Sequence, residues 1–209
     1  MTRLLDRLND ETRPLHTEIE AEGESLLLDI SVASYRRYLG RWYGFVFPVE
    51  RALSDIPSLN RVHDPRRLRK HLLLSHDLQA LGLKASEVDA LPQCPSVPFF
   101  DDLRDAVGWS FVIERSTLDH PNLYRQLAGA IPGDVAFAAS YLKCYSGSVG
   151  EMWRSFGQSI EAAAESPEDA ERIIDAARAG YRQFRRWRNT LDGKTLSVVE
   201  TPLQRGPTT

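Results

Sequence analysis

Apolar residues recur along this chain at spacings of three and four, while strict alternation over a strand's length is hard to find, so the pattern predicts helices throughout. The segment from Ser166 shows it best. Ser166 offers a hydroxyl for a helix N-cap, Pro167 suits the first helical position because its missing N–H would have no partner there, and Glu168 and Asp169 stand near the positive helix end. Ile173, Ile174, Ala177, Tyr181, Phe184, Trp187 and Leu191 then keep to one face. Asp64-Pro65 repeats the start signal ahead of Leu68, Leu72, Leu73 and Leu78, and Gly82 follows where a helix should stop.

These signals place helices at roughly residues 2 to 22, 32 to 54, 65 to 81, 99 to 118, 120 to 130, 133 to 146, 148 to 164 and 167 to 190. After the third comes ALPQCPSVPFF, whose Pro92, Pro95 and Pro98 neither a helix nor a central strand accepts. The stretch is short and helix resumes directly, so it reads as a surface connection within one bundle. The chain reads as one all-α domain, a multi-helix bundle over residues 1–195, with 196–209 a frayed tail.

Composition narrows the function classes. A chain of 209 residues that is 42% hydrophobic can bury one substantial core. Its 26 basic and 29 acidic residues are interleaved and sum to −3, which leaves no extended basic stripe for a phosphate backbone and argues against a nucleic-acid partner. The nearest thing to a basic patch, RQFRRWRN, gathers Arg182, Arg185, Arg186 and Arg188 on a late helix and reads as a solvated face. Cys94 and Cys144 have no CxxC spacing, so neither a zinc site nor a disulfide framework is indicated, and a reducing cytoplasm is the expected setting. MTRLLDRLNDETR is charged from its third residue, and no apolar run approaches bilayer length, so neither a leader nor a membrane partner is expected.

Two segments carry candidate chemistry. In ETRPLHTEIEAE, His16 lies on the same helical strip as Thr12, Ile19 and Glu20 and faces the core or a cavity. It reads either as a core histidine satisfied by a neighbour or as a ligand to a metal or heme iron. In VIERSTLDHPNLYRQL, Glu114, Arg115, Asp119 and His120 fall within seven residues of an otherwise apolar helix. That is either a chemical site or a helix end, with Asp119 a cap ahead of Pro121.

An ordered set of segments decides more than either alone. LNDETRPLHTEIE resembles the proximal helix of heme oxygenases, where a threonine four residues before a histidine, and an acidic residue after it, surround the iron ligand. YRRYLGRWYGFVFPVERAL and RRLRKHLLLSHDLQALGL look like the second and third helices of bacterial, bacteriophytochrome-associated members, and GWSFVIERSTL like their distal helix. EMWRSFGQSIE and RAGYRQFRRWRN complete an order that spans roughly residues 3 to 190. The resemblance implies an all-helical heme-oxygenase-like bundle, with heme as both cofactor and substrate and biliverdin, iron and carbon monoxide as products. It further implies a reductant partner such as a ferredoxin or flavoprotein reductase, and a phytochrome that uses the biliverdin. His16 then matches the iron ligand, Trp153 and Arg154 an aromatic-Arg pair whose guanidinium faces the heme propionates, and Ser116 a distal hydroxyl acting with water; Arg13 and Arg182 are further propionate candidates. By spacing alone, Arg154 reads as an ordinary surface ion pair.

The resemblance fails at one place. Where such members read Glu-Gly-Ser-Thr-Leu-Gly-Gly, this chain reads Glu114, Arg115, Ser116, Thr117, Leu118, Asp119, His120. The glycines that let the backbone approach heme are gone. Three outcomes follow: a displaced heme still cleaved, with Arg115 or His120 holding the distal water; His120 as a second axial ligand opposite His16 in a non-catalytic heme binder; or a degenerate scaffold without heme. A further enzyme class, the heme-oxygenase-like diiron oxidases, draws on His16, Glu20, Glu50, Glu114, Asp119 and His120. His63, His71 and His76 look like part of an amphipathic surface around the third helix, and Cys144 reads as packing rather than as a thiaminase-like nucleophile.

Overall fold

A computed structural model describes residues 3–26, 28–61 and 63–192, and the side chains of all of these except 21–26, 60, 61, 191 and 192. The tail expected at 196–209 lies outside them. Among the described residues every regular element is helical. The helices are α1 (Leu4–Leu26), α2 (Val32–Ser54), α3 (Lys70–Ala80), α4 (Ala85–Asp89), α5 (Leu103–Ser116), α6 (His120–Ala130), α7 (Pro132–Val135), α8 (Val149–Ala163) and α9 (Pro167–Asp192), with short 3-10 turns at Pro57–Arg61 and Pro65–Arg67.

Helix starts follow local chemistry. Ser31 and Ser34 form a reciprocal capping box on α2, Asp102 accepts from the Arg104 amide at 2.8 Å ahead of α5, and the Ser166 hydroxyl accepts from the Asp169 amide at 3.1 Å ahead of α9. The helix expected from residue 65 begins at Lys70 instead. Asp64 turns its carboxylate onto the Arg66 amide and closes a 3-10 turn, and Glu50 of α2 accepts the Lys70 and His71 amides at 3.0 Å each, so a carboxylate from another helix caps α3. Leu72 consequently points to solvent, 55% exposed, and Leu74 and Leu78 reach the core.

The helix expected over 133 to 146 is not formed beyond α7. Asp77 of α3 draws in the Ser140 and Tyr141 amides at 2.8 Å each, and the Tyr35 hydroxyl donates to the Ala138 carbonyl at 2.7 Å. Backbone groups that an α-helix would pair with one another are satisfied by buried side chains instead.

The core is built where α5 lies against α9, with α1 and α8 beside them and α2 beneath. A Cβ on Gly108 would stand 2.4 Å from the Ile173 carbonyl oxygen and 2.6 Å from the Ala176 Cβ, so α5 and α9 approach backbone to backbone because that position carries no side chain. Trp42 and Phe45 of α2 meet Phe184 of α9 at centroid distances of 4.3 and 4.7 Å. The proline-rich segment packs on this core: the Cys94 amide donates to the Gly44 carbonyl at 2.8 Å, and Leu91, Cys94 and Phe100 are buried.

Candidate functional site

Four helices, α1, α2, α5 and α9, and the start of α6 wall a slot of about 170 Å³ that opens to solvent. His16, Ser116 and Asp119 from the sequence expectations all line it, on walls otherwise made largely of apolar and aromatic side chains such as Ile19, Val112, Leu123 and Phe184. The His16 ring is buried among its neighbours, with Tyr181 edge-on at 6.0 Å. Its Nδ1 lies 3.1 Å from Glu20 Oε2 one turn along α1, which orients the ring, and its Nε2 lies 3.4 Å from Asp119 Oδ2 across the slot. Asp119 therefore does not cap α6 as its place before Pro121 suggested; its side chain makes no capping bond and turns to His16, with Arg115 Nη1 at 3.4 Å from the same oxygen. Burial would raise the Asp119 carboxyl, but the hydrogen bond from His16 and the Arg115 charge outweigh it and hold the group below the usual carboxylate range.

The remaining expected residues lie elsewhere. His120 is buried with its ring against Tyr141 at 4.5 Å and Cys144 Sγ 3.8 Å from its Nδ1, and it is absent from the slot walls, so it does not stand opposite His16 as an axial ligand requires. Burial pushes its imidazole down to about 3. Trp153 packs between Phe111 and Phe156. Arg154 is exposed on α8 beside a separate groove near Arg3 and Leu5, with its Nε on the Gly150 carbonyl, and it does not reach the slot. Arg13 is exposed and paired with Asp10, and Arg182 is exposed on α9. Cys144 lies against the buried His120 ring, and burial lifts its thiol to about 11, in keeping with packing.

Sequence reasoning missed the cation that does line the slot. Arg188 of α9 is buried, donates to the Ile19 carbonyl at 2.7 Å and lies over the Phe184 ring. In the sequence it is one member of RQFRRWRN, where nothing separates it from Arg185, which pairs with Glu18. Tyr181 was legible only as core, yet its hydroxyl is buried at the slot with no hydrogen-bond partner among the described residues.

The diiron ligand set is not assembled. Glu114 is buried between Arg67 Nη1 at 2.7 Å and Lys70 Nζ at 2.6 Å, and the Tyr145 hydroxyl donates to it at 3.1 Å. Burial alone would discharge Lys70, but Glu114 keeps its pKa raised. Glu50 is engaged by the α3 amides and by His71 Nδ1 at 2.5 Å. Both carboxylates have structural partners, leaving His16, Glu20 and Asp119 as the convergent donors among the described residues.

The helical bundle, with an imidazole on an apolar slot between the first helix and α5, has the heme-oxygenase-like fold, as comparison with a solved structure shows. The NO- and CO-bound heme oxygenase from Neisseria meningitidis superimposes with a TM-score of 0.79 at 20% identity, covering 99% of this chain and 100% of that one. The family model described as heme oxygenase matches residues 2–190, and the chain belongs to that family. No curated protein matches the chain in sequence.

Heme is the group this family takes as substrate and cofactor, and the slot residues fit it in kind. Neutral imidazole is a heme-iron ligand, the apolar walls suit a macrocycle, and the orphaned Tyr181 hydroxyl and Arg188 suit its polar edge. In size the slot is below the ~300–1,000 Å³ of ordinary ligand pockets, and Asp119 covers the ligating nitrogen, so admission requires that side chain to swing away. At 45% exposure it has room to do so.

Proposed function

We propose that this protein binds heme through His16 and cleaves it to biliverdin, carbon monoxide and iron. The observation that carries the reading is the His16 imidazole, held by Glu20 with Nε2 directed into an apolar slot, in a chain of the heme oxygenase family. Heme supplies both the redox-active iron and the carbon skeleton that is oxidised. The chain's own residues orient and shield it. Val112 and Phe184 exclude water, Arg188 takes the position expected of Arg154 as the cation for a carboxylate edge, and Arg115 holds Asp119 to one side. Ser116 lines the slot and donates its hydroxyl to the Ile113 carbonyl at 2.8 Å, so toward distal water its oxygen is an acceptor.

The reaction consumes electrons, so the reading includes a reductant protein such as a ferredoxin or flavoprotein reductase. The likeness of α2 and α3 to bacteriophytochrome-associated members supports a phytochrome as the biliverdin user. Two free cysteines support a reducing, cytoplasmic location, and no described helix is long and apolar enough to cross a membrane.

The test is a hemin titration of the purified chain followed by reductant in air. A Soret band lost in His16→Ala, then conversion to a biliverdin band, is the expected course. A Soret band that persists unchanged in His16→Ala would remove the assignment of the ligand, and hemin binding without biliverdin would leave a heme carrier.

A further inference from the structure

We propose that His16, Glu20 and Asp119 form a site for one first-row divalent transition-metal ion, available in the heme-free protein and mutually exclusive with heme. One donor atom from each residue lies within 4.8 Å of the other two. An imidazole nitrogen with two carboxylate oxygens is a borderline N,O set that suits Zn²⁺, Co²⁺, Mn²⁺ or Fe²⁺ and offers two negative charges to a doubly charged ion. The His16 Nε2 to Asp119 Oδ2 separation of 3.4 Å equals the ligand-to-ligand edge of a tetrahedron with metal arms of about 2.1 Å. Glu20 now sits on the other ring nitrogen, and its side chain, 44% exposed, has room to turn toward the same centre. Water completes the shell from the open mouth of the slot.

The third ligand belongs to this chain in particular. Asp119 occupies one of the positions where the resemblance to heme oxygenases calls for glycine, so the substitution that narrows the slot is also the one that completes the donor set. Arg115 is the competing cation, since its Nη1 lies 3.4 Å from the oxygen the metal needs. Exclusion of heme follows because Nε2 serves one ion at a time and Asp119 must cross the slot to bind it. The metal site shares His16 with the heme reading and stands without it, while its exclusion of heme rests on that reading.

Titration of the full apoprotein with Co²⁺, followed by absorption and calorimetry, tests the site. One equivalent is expected to bind. His16→Ala should abolish binding, Asp119→Asn and Glu20→Gln should each weaken it at least tenfold, and Arg115→Ala should tighten it severalfold. Protein loaded first with hemin should take up none. Absence of saturable binding in the unsubstituted chain, equal affinity in Asp119→Asn and Glu20→Gln, or undiminished Co²⁺ uptake by hemin-loaded protein would overturn the proposal. Circular dichroism of each variant separates a folding failure from a lost ligand. Co²⁺ uptake without any hemin binding would support this site and sink the heme reading, and hemin binding without Co²⁺ uptake would do the reverse.

Discussion

At the scale of single residues, the most consequential feature outside the slot is Glu114 between two buried cations. Replacing it by alanine leaves Arg67 and Lys70 buried without their counter-charge and should cost about 3–5 kcal/mol in urea denaturation. Acid should destabilise the same region in steps of known sign. Burial pushes His63 down to about 4, so its contribution is complete above its ordinary value near 6.5 and is lost as the pH falls through the window down to about 4. His120, pushed down to about 3, adds to the loss in the same direction and further down. Both His63 ring nitrogens lack a partner among the described residues and its ring meets Phe156 edge-on at 5.7 Å, so His63→Phe should flatten the decline of unfolding free energy between pH 6.5 and 4, by up to ~3 kcal/mol. These residues also show what a sequence discloses at this scale. His16 was legible because helical spacing put it on one strip with Thr12 and Ile19, and spacing survives folding. His120 and Arg154 were not, because whether a polar side chain on a helix turns into a cavity or away from it depends on the packing of other elements, as Tyr141 packs on His120.

At the scale of elements, the crossing of α5 and α9 is a backbone-to-backbone contact. Gly108→Ala would press a methyl group against the Ile173 carbonyl and should lower stability by about 1–3 kcal/mol, or roughly 2–12 °C in melting temperature, by thermal denaturation. A second element is held by one carboxylate. Asp77→Ala leaves the Ser140 and Tyr141 amides unpaired, and hydrogen exchange should accelerate across 138–148 ahead of the helices. This segment marks the limit of periodicity as evidence. Its apolar residues have helical spacing, yet Ala138, Ala139 and Tyr141 are buried in a chain of turns, since Asp77 and Tyr35 compete successfully for the backbone groups a helix would need. Helices whose own residues cap them, α2, α5 and α9, were readable to within a few positions; α3, capped by Glu50 from another helix, was displaced by five.

At the scale of the molecule, the slot joins α1 to α5 and α9, so a ligand bound there ties together the helices that carry the core. Hemin at a hundred times its dissociation constant should stabilise the protein by about 2.7 kcal/mol, a melting shift of roughly 5–11 °C, and His16→Ala should erase the shift. The overall architecture was legible from helical periodicity and the ordered resemblance, while the narrowness of the slot was not, because it depends on how close two backbones stand. The contact between His16 Nε2 and Asp119 makes the chain a competitor for its own ligand position. A state closed ten times more often than open weakens apparent hemin affinity about tenfold, or ~1.4 kcal/mol, whatever the strength of the iron bond. Its kinetic mark is an association rate that stops rising with hemin concentration once departure of the carboxylate limits it, and loading by this protein is then set by its own opening rate rather than by the supply of heme.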